Sequence, residues 1–93
     1  MDKKKLNAAR SKIDRVDNDL FKIIKKRTLI VNHMLSLKKN KKEIIDHKRI
    51  NQILRKVKMK SRKNNIDPKL TTKIWKSMIW SYVDFQRRNF KKK

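Results

Sequence analysis

The sequence predicts an all-α protein with three helices per chain, a long N-terminal helix and a helical homodimer as the assembled state. Three observations predict it. The 93 residues contain no Gly and one Pro, so almost nothing interrupts a helix. Apolar residues recur at alternating spacings of three and four, the period of a helix face and not of a strand. Only two breaks stand out: the charged run Lys38-Lys39-Asn40-Lys41-Lys42, and Asn64-Asn65-Ile66-Asp67-Pro68.

The first helix is expected over about residues 4 to 38. Leu6, Ala9, Ile13, Val16, Leu20, Ile23, Arg27, Ile30, Met34 and Leu37 form one seam of the coiled-coil kind. At 1.5 Å per residue such a helix reaches roughly 50 Å, whereas a compact chain of this length has a radius of gyration of about 12 Å. A seam that long is costly to leave in water, so two chains are expected to pair along it. The second helix is expected over about 46 to 63, with Asp46 as its cap and Ile50, Ile53, Leu54 and Val57 as its apolar face. The third, about 68 to 90, starts at Pro68, where a missing N–H costs nothing, behind Asp67 as cap. Its face carries Trp75, Ile79, Tyr82 and, one turn on, Gln86.

Composition narrows the function classes. Thirty basic residues against eight acidic ones give a net charge of +22, so the partners to expect are anions. Absence of Cys removes disulfides and thiolate metal sites, and His33 and His47 alone make no zinc site, so no metal is expected. No apolar run approaches the roughly 18 residues that span a bilayer, and the start MDKKKLNAAR has no apolar targeting core. One domain over residues 1–93, cytoplasmic and without a membrane role, is the expectation.

Polar residues at apolar positions are the candidate chemistry. Arg27 occupies a seam position, where a cation snorkels, pairs with a buried carboxylate or binds an anion. Lys38 lies eleven residues on, about 20° around a continued helix and roughly 16 Å along it, and by itself reads as a solvated helix-end lysine. Arg10, nearly 26 Å from Arg27 along the helix, reaches such a site only from a partner chain. Gln86 on an inner face reads most simply as a satisfied buried amide.

Taken together these residues match a family. The stretch LNAARSKIDRVDNDLFKIIKKR, Leu6 to Arg27, resembles the opening helix of the all-α chorismate mutases: an Arg, then K-I-D, an I/V-D pair, a leucine-rich turn and a second Arg. Lys38 falls at the family's catalytic lysine, IIDHKRINQIL is similar to its segment D-x-x-R-E-x-x-I-L, NNIDP to the loop before its last helix, and Gln86 to its closing glutamine. The resemblance implies an intertwined helical homodimer with two equivalent sites, each completed by Arg10 of the partner chain. It implies rearrangement of chorismate to prephenate without nucleophile, metal or cofactor. Arg27 and the partner's Arg10 would clamp the two carboxylates, and Lys38 and Gln86 would donate to the ether oxygen. Arg49 would add positive potential, and Asp46 would sit near the substrate hydroxyl.

Two positions depart from the family pattern. Ile50 stands where the family usually has the Glu that receives the chorismate hydroxyl, and Tyr82 where a small Ser often contacts a carboxylate. Both changes resemble the sister isochorismate-pyruvate lyases, which give salicylate and pyruvate. The mutase, the commoner role of the family, is the first expectation and the lyase the second. A third expectation, of another class, is a basic helical dimer that binds nucleic acid, since residues 36 to 63 carry twelve basic and two acidic side chains. Against it, the aromatics cluster in the third helix at core spacing instead of interleaving with the basic run.

Overall fold

The computed structural model describes residues 2–91, and within them the expected helices form: α1 over Lys3–Ser36, α2 over His47–Lys63 and α3 over Pro68–Asn89. Each start has a carboxylate cap. Asp2 Oδ1 accepts from the N–H groups of Lys4 and Lys5 at 3.0 and 3.2 Å, Asp46 Oδ1 from Arg49 at 3.0 Å, and Asp67 Oδ1 from Lys69 at 2.9 Å. Each satisfies N–H groups that have no carbonyl partner within the helix. No helix among the described residues is long and apolar enough to cross a membrane.

One boundary differs from expectation. α1 stops at Ser36, so Lys38 is not the helix-end residue the periodicity suggested. The last turn tightens, with Leu37 N–H donating to Met34 O and Lys38 N–H to Leu35 O, both at 3.1 Å. Such short-range bonds close a helix when the following side chains repel one another and offer no further apolar contact. Asn40 is then extended, and a single 3₁₀ turn, Lys41–Glu43, leads to α2.

The α2 end was legible as a break, and its geometry explains why no Gly is needed. Asn65 adopts φ 56°, while Ile66 N–H donates to Ser61 O at 2.8 Å and Asn65 N–H to Arg62 O at 3.3 Å. These two bonds form a Schellman cap, whose left-handed position accepts Asn when Gly is absent.

Packing divides the chain into a part ending at His33 and a part beginning at Met34. The first part is helix alone, and its apolar seam faces water: Ile13, Val16, Ile23 and Ile30 are each about 60% exposed. In the second part, α2 and α3 pack on each other. Leu35, Ile44 and Val83 form its buried cluster, with Ile45 and Phe90 against them. Val57 and Ile79 are also buried, as the predicted faces of α2 and α3 require. Ser61 pins the two helices: its hydroxyl lies 2.6 Å from Thr71 Oγ1 and 2.6 Å from Val57 O.

Candidate functional site

The structure brings Lys38 and Gln86 together across 48 residues of sequence. Lys38 Nζ donates to Gln86 Oε1 at 2.7 Å. Gln86 is 8% exposed, held on the inner face of α3 one turn after Tyr82, whose carbonyl accepts from Gln86 Nε2 at 3.2 Å. Both ends of the amide are therefore bonded, which fixes which atom faces which neighbour. Oxygen turns to the ammonium and nitrogen stays a donor. The ammonium retains two N–H groups beyond this bond, and the amide nitrogen retains one. A short charge-assisted bond leaves three donors on two neighbouring groups, a suitable arrangement for an anion or for an oxygen on which charge develops.

Burial pushes the pKa of Lys38 below that of a free lysine, because desolvation disfavours the ammonium. Glu43 and then Asp46 oppose the shift and help to hold the proton on. Glu43 is a residue that sequence reasoning passed over. Its signal was available, as the chain's only Glu, set directly after the basic run. Its side chain also accepts from Lys39 N–H at 3.4 Å, which folds the turn back toward the end of α1.

The remaining candidates fall into two sets. Asp46, Arg49 and Ile50 share the first turn of α2, where Asp46 spends one carboxylate oxygen on the cap and Ile50 is half-buried. Tyr82 is half-buried on α3, its ring edge-on to Phe85 at 6.1 Å and 83°. Arg10 and Arg27 lie on α1 in the part ending at His33, Arg10 exposed and Arg27 half-buried.

Comparison with known proteins gives one result. The family model described as chorismate mutase type II matches residues 9–87, which include every candidate above. Neither a curated protein nor a solved structure matches significantly.

Proposed function

The chain belongs to the chorismate mutase type II family, and from that premise we propose that it converts chorismate to prephenate. The observation that carries the reading is the Lys38–Gln86 pair, a buried amide locked by a partly desolvated ammonium. The reaction is unimolecular: one C–O ether bond breaks while one C–C bond forms, and no atom enters or leaves. Catalysis then consists of holding a flexible dianion in a compact chair and stabilising the negative charge that grows on the ether oxygen. Lys38 and Gln86 supply the donors for that oxygen. Arg27 and Arg10 of the partner chain take the carboxylates, because a guanidinium fork binds a carboxylate bidentately and in one orientation. Arg49 adds positive potential, and Asp46 lies beside the substrate hydroxyl.

A homodimer follows from the same reading. The seam of α1 is too apolar and too exposed to remain in water, and a second copy of the same seam covers it with two-fold symmetry.

Ile50 and Tyr82 favour a second reading within the same cage. With Ile in place of a carboxylate, nothing at position 50 receives the chorismate hydroxyl, and the wall there is apolar. An isochorismate-pyruvate lyase, whose substrate carries its hydroxyl elsewhere on the ring, fits that wall. The decisive assay incubates the purified chain separately with chorismate and isochorismate. Prephenate from chorismate is the expected product; salicylate and pyruvate from isochorismate, with no prephenate, would transfer the assignment to the lyase. Arg27→Ala should reduce turnover by orders of magnitude. Wild-type turnover in that variant would overturn the cage, whereas no turnover of either substrate by the unmodified chain would leave a nucleic-acid binder with thirty cations as the better account.

A further inference from the structure

A groove between α2 and α3, distinct in its residues from the Lys38–Gln86 pair, gathers positive charge without any counter-charge. Lys58 and Arg62 are one turn apart on α2. Lys69, Lys73 and Lys76 stand on α3 at offsets of zero, four and seven, so they share one stripe. Together they line a groove of about 410 Å³, within the size range of small-ligand sites. No carboxylate lines it, and among the described residues none of the five cations forms an ion pair. The nearest acid in sequence, Asp67, has a carboxylate oxygen engaged in capping α3.

The arrangement is unfavourable as it stands. Like charges at i, i+4 destabilise a helix, and two such pairs, Lys58 with Arg62 and Lys69 with Lys73, line opposite walls of the same groove. A second, independent feature lies among them. Thr72 lines the groove, and its hydroxyl is buried without a hydrogen-bond partner. Buried hydroxyls are usually satisfied, and an orphan costs about 1–3 kcal/mol. A ~120° rotation about χ1 carries a threonine hydroxyl to another staggered position, and an anion in the groove would offer this donor a partner.

We infer that the α2–α3 groove binds a small anion carrying two or more linked phosphates, such as the di- or triphosphate group of a nucleotide or inorganic triphosphate. Several cations converging on one volume match a compact multiple charge, and the hydroxyl gives it a directional hydrogen bond. A nucleic-acid strand is the poorer match, because the cations surround a pocket of limited volume and no aromatic side chain lines it for bases to stack on.

The test titrates inorganic triphosphate into the full-length protein by calorimetry at about 0.15 M ionic strength, where exposed charges more than roughly 8 Å apart are screened. One saturable site per chain is expected. Lys69→Ala with Lys73→Ala should weaken it at least tenfold, and Thr72→Val severalfold. Lys22→Ala with Lys25→Ala on α1, the same loss of charge, should change it less than twofold, as should Lys38→Met. Unchanged helicity by circular dichroism certifies each variant. The inference fails if the α1 pair weakens binding as much as the groove pair, which would indicate diffuse attraction. It fails equally if Lys38→Met abolishes binding, if no saturation is reached at millimolar triphosphate, or if an oligonucleotide of equal charge binds more tightly at the same salt.

Discussion

Replacing Gln86 by Leu separates a structural amide from a donor to substrate. The substitution keeps most of the side-chain volume and removes both bonds, the one accepted from Lys38 at 2.7 Å and the one donated to Tyr82 O at 3.2 Å. A hydrogen bond to a charged group contributes about 1.5–3 kcal/mol, yet most of that is recovered here. Lys38 is only partly buried and can return to water, and the Tyr82 carbonyl is an interior helix carbonyl with its own ladder partner. The added apolar contact offsets more. A net stability loss of about 1 kcal/mol, or a Tm fall of about 4–8 °C in a domain of this size, is the expected cost. Turnover should suffer far more. Removing one positioned donor to a developing oxyanion costs about 10²–10³ in kcat. The assay measures kcat on chorismate at a temperature below both melting transitions, which circular dichroism melts of the two proteins establish. A variant that melts as expected but keeps kcat within about threefold of wild type would show that the amide only anchors Lys38, and the donor role would be withdrawn.

Three further outcomes follow from the geometry. Ser61→Ala breaks the pin between α2 and α3 but leaves Thr71 Oγ1 within 3.3 Å of the Asp67 and Pro68 carbonyls, so a loss of about 1 kcal/mol is expected in chemical denaturation, and a loss above 3 kcal/mol would contradict the redundancy. Because the cation of Lys38 is disfavoured by burial, kcat/KM should fall with rising pH through a pKa below that of free lysine, and Glu43→Gln, which removes a charge holding the proton on, should move that limb to lower pH; an unmoved limb would assign it to another group. Leu20→Lys, placed on the α1 seam where Leu20 is 47% exposed in the single chain, removes about 1.5–3 kcal/mol of burial from each protomer and should weaken a dimer by two orders of magnitude or more in sedimentation. A monomeric wild type in the same run would end the shared-site reading.

The sign of the Lys38 contribution to stability is opposite to that of the catalytic role proposed for it. Its folded-state pKa lies below its unfolded one, so the unfolded chain binds the proton more tightly across that alkaline window. Stability therefore rises as pH rises through the window, while the donor is being lost. A group that is costly to keep charged in the fold, and is kept there beside Glu43 and Asp46, is the pattern expected of a site residue more than of a scaffold residue.

Helix content was legible because punctuation was sparse and unambiguous. Asp46 and Asp67 act as the caps that their positions announced, and Pro68 opens α3. The periodicity of α3 also placed Gln86 among core residues, and it is buried. Two features were not legible, for different reasons. The end of α1 depends on a balance between helix propensity, to which Lys38 and Lys39 contribute favourably, and mutual repulsion of the run 38 to 42, and pattern alone does not weigh these. The Lys38–Gln86 bond depends on a tightened turn, an extended Asn40 and a 3₁₀ turn, each of which redirects the chain by an amount that spacing does not encode. Family resemblance implied roles for Lys38 and Gln86 without implying their contact.

The charge excess now resolves by environment. Thirty cations against eight carboxylates leave a net charge of +22. On the solvent side of α1 such cations are hydrated and interchangeable, and each is worth little to stability. Lys38 differs because burial has removed part of its hydration and Gln86 has replaced it with one fixed bond. The five groove cations differ again, since they remain exposed but converge on one volume beside an orphaned hydroxyl. Salt acts on these classes unequally, screening exposed charges within about a Debye length while leaving a desolvated hydrogen bond nearly intact. On the proposed reading, the net charge governs how fast anions arrive, whereas Lys38 and the groove govern which of them stay.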